Sequence, residues 1–514
     1  MLNNIFYEYT IPYFIGDSIK TLVKTMALVT VFSCVERALG FIYRIFLSRS
    51  LGAETLGVYQ VALSIIGLLM TITSSGIPIT VSRLMTKRQA CGNKNGKHAV
   101  VSAGIFVALI VSIPLSLLFL IFGDSLAFLI SNIEAHKSLK IMLPGVIITS
   151  VYAVNRGYFW GEKRFFSYSL IELLEEIVMI IAGVILVNAS TSSLSGAEKA
   201  SYAVLISYVF SFLMSSVTYF LFGGKLKRFK YELKPLISSA TPITLMRTLT
   251  SLLNTLIAII LPNRLIASGL SSSVAMSKYG ALSGMSIPLI YIPSTLIGSI
   301  ALVLVPELAE NFYRKNMVTL KNNIEKAVKC AVFISTLIIP VFISHGNDIG
   351  YLIYNNAEAG NYVQTASIIM FPMSISLITT SMLNSLNLEK KTLKYYTIGA
   401  FLLLICIWFL PNVIGIYSLI LGLMISYVIT AVCNLKLISK TCLVPPKFST
   451  FIIASLVFII PSGLLSYFLY KLLTITISKT ISLILTSVVS VVFTYLFYKV
   501  FDLFDLKELI KTNK

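Results

Sequence analysis

Residues 57–82 read GVYQVALSIIGLLMTITSSGIPITVS, without one Asp, Glu, Lys or Arg. A helix of about 20 mostly apolar residues is long enough to cross a bilayer. This stretch is therefore read as a membrane span, broken near one end by Gly76-Ile77-Pro78. Scanning outward from it brings the apolar runs to fourteen. They lie at 26–47, 57–82, 99–122, 139–159, 167–187, 202–222, 237–261, 279–305, 325–344, 364–386, 395–410, 416–435, 448–470 and 478–498. Composition agrees: 56% of the 514 residues are hydrophobic and 12% charged, whereas soluble domains carry about 25% charged residues. Spans of about 22 residues leave about 14 residues per connection, too few for a separate soluble domain. The expectation is an all-α polytopic membrane protein with no catalytic or nucleotide-binding module.

The formal net charge is +20, and the position of the cations decides its meaning. If both termini are cytoplasmic, the inner connections and tails hold 29 of the 41 Lys and Arg and the outer connections hold 8. Cytoplasmic loops carry an excess of Lys and Arg. This orientation is therefore expected, with loops 84–98, 223–236 and 306–324 inside and the protein in the cell membrane. The excess charge is then a topology signal, and no nucleic-acid partner is implied.

The organisation expected is as follows: 1–24, a cytoplasmic or interfacial N-terminal segment; 25–223, an N-lobe of spans 1–6; 224–236, a basic cytoplasmic inter-lobe loop; 237–438, a C-lobe of spans 7–12; 439–499, spans 13 and 14; and 500–514, a cytoplasmic tail. Residues 1–19 carry Glu8 and Asp17 and no basic start, unlike a secretory signal. Cys34, Cys91, Cys330, Cys406, Cys433 and Cys442 form no CxxC pair, so neither a disulfide framework nor a zinc site is implied. Gly92-Asn-Lys-Asn-Gly96-Lys97-His98 is one spacer short of a P-loop and lacks its Ser/Thr. His98, His136 and His345 show no metal spacing. No enzyme chemistry, cofactor or metal is expected.

The chain looks internally repeated. Span 4 reads Pro144-Gly145, Asn155-Arg156-Gly157, Glu162-Lys163; span 10 reads Phe371-Pro372, Asn384, Glu389-Lys390-Lys391. Span 2 (Gly76, Pro78) and span 8 (Gly284, Pro288, Pro293) are both interrupted and both stand second in their halves. Six spans per half is an even number, so both halves enter the membrane the same way. The expected pseudo-twofold axis runs along the membrane normal, with two helices appended. Paired broken helices in corresponding positions point to a transporter cavity, and Gly76, Pro78, Gly284 and Pro288 are the candidate hinges.

Several stretches resemble the stage V sporulation protein B and polysaccharide-exporter branch of the multidrug/oligosaccharidyl-lipid/polysaccharide flippase superfamily. They are Arg37-Ala-Leu-Gly-Phe-Ile-Tyr-Arg44 with Leu51-Gly52-Ala53-Glu54 and Gly57-Val58-Tyr59-Gln60; Ser75-Gly76-Ile77-Pro78 with Ser82-Arg83; and Arg156-Gly157-Tyr158-Phe159-Trp160-Gly161. Further along come Ala240-Thr241-Pro242-Ile243-Thr244 with Pro262-Asn263-Arg264-Leu265, and Tyr279-Gly280, Ile292-Pro293 and Leu304-Val305-Pro306-Glu307. The resemblance implies two six-helix lobes around a central cavity and alternating access. Its implied cargo is an undecaprenyl-linked cell-wall or polysaccharide precursor, as in spore-cortex or cell-wall synthesis. Membrane lipid and cell-wall synthesis proteins are the further partners it suggests. The lipid II branch has an acidic-basic pair before the span 8 proline. Here the sequence is Ser286-Ile287-Pro288, so strict lipid II specificity is not implied.

Four arginines fall inside spans: Arg37, Arg44, Arg156 and Arg247. Each costs about 2.5–3.5 kcal/mol at the middle of the bilayer, so something must offset them. One reading is a cationic cavity for a pyrophosphate, which guanidinium forks bind through paired hydrogen bonds. The other is internal ion pairing with Glu36, Glu172, Glu175 and Glu176. The last three are spaced i, i+3, i+4 and share one helix face. They suggest a cation or proton site, coupled to a cation gradient or the membrane potential, or else neutralisation of the arginines. Competing functions are a cation-coupled multidrug antiporter of the same fold, with an acidic, aromatic-lined cavity, and a non-transporting envelope-assembly scaffold, which needs no buried charge.

Overall fold

The computed structural model describes residues 11–122, 132–189, 193–386, 388–441, 448–501 and 503. The expectations for residues 1–10, for Cys442 and for most of the tail lie outside these residues. The described elements are helical: α1 Ile11–Ser74, α2 Ile77–Ala90, α3 Lys94–Ile121, α4 Ile133–Gly161, α5 Phe165–Asn188, α6 Gly196–Leu221, α7 Leu233–Ala267 and α8 Ser272–Tyr279. A π-helical segment, Gly280–Ser286, follows. Then come α9 Ile287–Tyr313, α10 Met317–Tyr354, α11 Ala357–Ala366, α12 Met370–Ser385, α13 Glu389–Phe409, α14 Tyr417–Thr441, α15 Ser449–Thr476 and α16 Lys479–Val500.

Twelve stretches among the described residues are long and apolar enough to cross a membrane. The first, Val29–Ala90, is 62 residues long and holds two of the expected spans. The span expected at 167–187 is α5, whose three carboxylates exclude it from a purely apolar test. The surfaces fit lipid as solvent. On α15, Ser455, Ser462 and Ser466 are fully buried while Ile453, Val457, Ile460 and Leu464 are exposed. On α16, Ser482, Thr486, Ser490 and Thr494 are buried at every fourth position, and Ile481, Ile484 and Val488 face out. Small residues at helix contacts and branched apolar residues outside are the membrane pattern.

Packing divides the chain into two units. The first comprises Met1–Leu51 with Val58–Ile259, and the second comprises Gly52–Gly57 with Ile260–Lys514. The sequence places its inter-lobe loop at 224–236, whereas the packing boundary falls inside α7.

The glycines of the quoted motifs sit where backbones meet. Gly52 breaks α1 with φ 78°, a conformation that favours glycine. In the first unit, a Cβ on Gly157 would stand 2.8 Å from the Pro78 carbonyl, so α4 rides directly on the start of α2. A Cβ on Gly76 would meet the Ala240 carbonyl at 2.5 Å. In the second unit, a Cβ on Gly280 would stand 2.6 Å from the Gly57 nitrogen. Both expected interruptions are present. Helix α1 ends at Ser74 and α2 restarts with Pro78 in its first turn, where its missing N–H costs nothing. The span 8 interruption is the π segment, followed by Pro288 in the first turn of α9. Ser286 Oγ fixes that segment by donating to the carbonyls of Ala281 (2.9 Å) and Ala359 (2.8 Å).

The two units repeat a polar motif. Ser150 Oγ of α4 lies 3.1 Å from Ser112 Oγ of α3, and Ser335 Oγ of α10 lies 3.2 Å from Ser374 Oγ of α12. Five positions beyond Ser150, Asn155 donates to the hydroxyls of Ser215 (3.1 Å) and Ser216 (3.2 Å) on α6. Five positions beyond Ser374 stands Thr379, whose hydroxyl, with that of Thr380, accepts from Asn434 of α14 at 3.2 and 2.9 Å. The clasp recurs with the asparagine on the opposite helix. This register shifts the proline-based alignment of span 4 with span 10 by about one helical turn.

The glycine-rich stretch before α3 is a helix start. Gly92 has φ 73°, and Asn93 caps α3 by accepting from the Gly96 N–H at 2.7 Å.

Candidate functional site

Within the first unit, α1, α4 and α5 form a partly open cavity of about 230 Å³ lined by Glu36, Met70, Ser74, Thr149, Tyr152, Ala153, Arg156, Glu172, Glu175 and Glu176. Helical spacing explains the lining. Thr149, Tyr152, Ala153 and Arg156 follow one another at i, i+3, i+4 and i+7, a single stripe of α4. Glu172, Glu175 and Glu176 form the facing stripe of α5.

Arg156 is held inside this site. Its Nη2 lies 2.9 Å from Glu172 Oε1 and donates to the Tyr168 hydroxyl. The guanidinium stands 5.1 Å from the Trp160 ring centroid and 5.0 Å from that of Tyr168, within cation–π range. Glu175 turns to the Ser211 hydroxyl on α6. Glu176 reaches the backbone of α1, where a Cβ on Gly40 would stand 2.9 Å from its Oε1. Glu36 feels the charges of Glu172, Arg156 and Arg37, and Glu176 those of Glu36 and Arg44.

Four carboxylates and one guanidinium therefore line the cavity, leaving an acidic excess. Carboxylates crowded together need counter-charge from an arginine, a cation or a proton. The Tyr152 hydroxyl and the Arg156 Nε are buried here without a hydrogen-bond partner. Among the described residues, no three His, Cys, Asp or Glu side chains are grouped to hold a metal ion.

The structure separates the four arginines. Arg156 lines the cavity; Arg37, Arg44 and Arg247 do not. Arg37 and Arg247 are exposed and Arg44 is half-buried. Arg247 Nη1 donates to the Ser75 carbonyl at 3.0 Å, beside the break that precedes α2. The sequence reading missed Tyr152, Tyr168 and Thr149. The signal was available: all are within two turns of Arg156 or Glu172 on the same helix faces.

Residues 22–312 match the family described as polysaccharide biosynthesis protein. Over 480 residues the chain is 22% identical to stage V sporulation protein B of Bacillus subtilis (strain 168), covering 90% of this chain and 92% of that protein. Its fold is similar to a structure of the lipid II flippase MurJ in an inward closed conformation. The TM-score there is 0.70 at 17% identity, over 92% of this chain and 99% of that one. An inward-facing multidrug resistance MATE family transporter of the MOP superfamily gives a TM-score of 0.63 at 17% identity, covering 78% and 92%. The fold is shared with these two transporters, and the chain is a multi-pass membrane protein. With more than half of its length matched, the chain belongs to the polysaccharide biosynthesis protein family.

Proposed function

We propose that the chain flips a polyprenyl-pyrophosphate-linked oligosaccharide across the cell membrane by alternating access, with both termini cytoplasmic. Two likenesses support the cargo class: the matched family, described as polysaccharide biosynthesis protein, and the lipid II flippase of similar fold. In this reading Arg37, Arg44 and Arg247 meet the pyrophosphate. Spans broken at Gly76-Pro78 and Gly284-Pro288 absorb the bending between lobes.

The observation that carries the energetics is the acidic excess of the cavity in the first unit. Glu36, Glu172, Glu175 and Glu176 outnumber Arg156 there, so a cation or proton is the guest that balances the charge. Movement of that guest down its gradient, or with the membrane potential, would drive transport.

The same acidity favours a second reading, a multidrug antiporter for cationic compounds. Size argues against it: drug-sized ligands occupy pockets of about 300–1,000 Å³, and this cavity holds about 230 Å³. The test is reconstitution into proteoliposomes. Flipping of a lipid-linked oligosaccharide, accelerated by an imposed proton or sodium gradient, is expected. Gradient-driven uptake of a cationic dye with no movement of the lipid-linked cargo would replace the flippase with the antiporter.

A further inference from the structure

The connection from α6 to α7 is a fixed strap. Its start is folded back by Gly223 at φ 78°. Tyr219 donates its hydroxyl to the Lys225 carbonyl at 2.9 Å. The Lys225 N–H donates to His98 Nδ1 at 3.4 Å, and the Lys227 N–H to Ser102 Oγ at 2.9 Å. The Phe229 ring packs on Phe106 with centroids 5.0 Å apart. Glu232, buried at 6% exposure, holds Arg88 through a two-armed pair of 2.8 and 3.2 Å.

Every tether uses the strap's backbone, its aromatic ring or its carboxylate. The side chains of Lys225, Lys227, Arg228, Lys230 and Lys234 are all exposed. So are Leu226, at 60%, and Tyr231, at 89%. Nearby acidic groups are engaged elsewhere: Glu232 by Arg88, and Glu162 by Lys97 at 2.8 Å.

The orientation rule accounts for cations in a loop of this kind, but not for the rest. A topology signal needs no fixed backbone and no tyrosine held almost wholly outside. An aromatic ring and an aliphatic chain among five cations, at the end of membrane helices, match the headgroup layer. There, tyrosine rings sit at the interface and basic groups meet phosphates.

We propose that the strap 225–234 is a docking site for anionic phospholipid headgroups of the adjacent leaflet. The cations bind the phosphodiesters, while Leu226 and Tyr231 enter the acyl boundary. The site would anchor the end of α7 against the bilayer surface. The inference rests on the chain being a membrane protein and is independent of what it transports.

Native mass spectrometry of the full-length protein tests it, with phosphatidylglycerol and phosphatidylcholine as probes. The expected result is phosphatidylglycerol retained at least about tenfold more tightly, with a preference that fades as salt rises. A variant combining Lys225→Gln, Lys227→Gln, Arg228→Gln and Lys230→Gln should lose that preference. A control discharged elsewhere, Lys390→Gln with Lys391→Gln and Lys394→Gln, should keep it. Tyr231→Ala changes an exposed side chain with no packing role, so it should weaken retention without altering thermal stability. Equal retention of both lipids by the wild type, or a preference that survives in the folded strap variant, overturns the proposal. Binding of an acidic peptide to the strap in the absence of phosphatidylglycerol binding would also overturn it, in favour of a protein partner.

Discussion

Arg156→Met should destabilise the protein, and adding Glu172→Gln should restore most of the loss. Removing one partner of a buried pair costs about 3–5 kcal/mol because the other charge stays behind. Here the side chains are 35% and 20% exposed and line a polar cavity, which lowers the figure to about 2 kcal/mol. Loss of the contacts with the Trp160 and Tyr168 rings adds about 1 kcal/mol. The double variant removes both charges, so only the ring contacts and the Tyr168 hydrogen bond remain lost. The expected coupling is about 1–2 kcal/mol, inside the range for residues in direct contact. Thermal or denaturant unfolding in detergent, run as a double-mutant cycle, measures it. If Arg156→Met is as stable as wild type, or if the two changes simply add, Arg156 is not a structural counter-ion, and it returns to the list of cargo-binding residues.

Other outcomes follow from the same geometry. Gly157→Val would drive its Cβ into the Pro78 carbonyl, 2.8 Å away; a loss of about 1–3 kcal/mol is expected in the same unfolding assay. Asn155→Ala and Asn434→Ala each remove a two-pronged clasp, and each should cost about 0.6–2 kcal/mol; a null effect at both would show that the repeated motif contributes nothing to stability. In intact cells, a single cysteine at position 94 should be protected from an impermeant thiol reagent and one at position 358 should react, and the reverse pattern would invert the topology.

Much of the fold was legible because a bilayer forces it: an apolar run of the right length has one stable answer, a helix. The breaks at Gly76-Pro78 and near Pro288 were legible because proline and glycine act locally. The face shared by Glu172, Glu175 and Glu176 followed from helical spacing alone. What distance in sequence concealed was partnership. Arg156 and Glu172 meet across the turn that joins α4 to α5, two helices that each pack mainly on α6, and no local pattern states which arginine takes which carboxylate. The repeat was visible, but its prolines are not equivalent: Pro144 lies inside α4 and Pro372 in the first turn of α12, and the polar clasp gives a register about one turn away. The clasp itself was not legible: Ser150 and Ser374 are small hydroxyl residues common in membrane helices, and the asparagine changes sides between α4 and α14. Tyr152 carried no charge and so drew no attention in an apolar span, although it lines the cavity.

The central claim is that this chain moves a pyrophosphate-linked glycolipid using arginines of its first helix. The most direct test is the flipping rate of an undecaprenyl-pyrophosphate-linked oligosaccharide in proteoliposomes, compared among wild type, Arg37→Ala and Arg44→Ala at matched insertion and thermal stability. The account predicts that both variants lose flipping and that Arg→Lys at either site restores little of it, because an ammonium lacks the paired donors of the guanidinium. Flipping at the native rate by correctly folded alanine variants would contradict it.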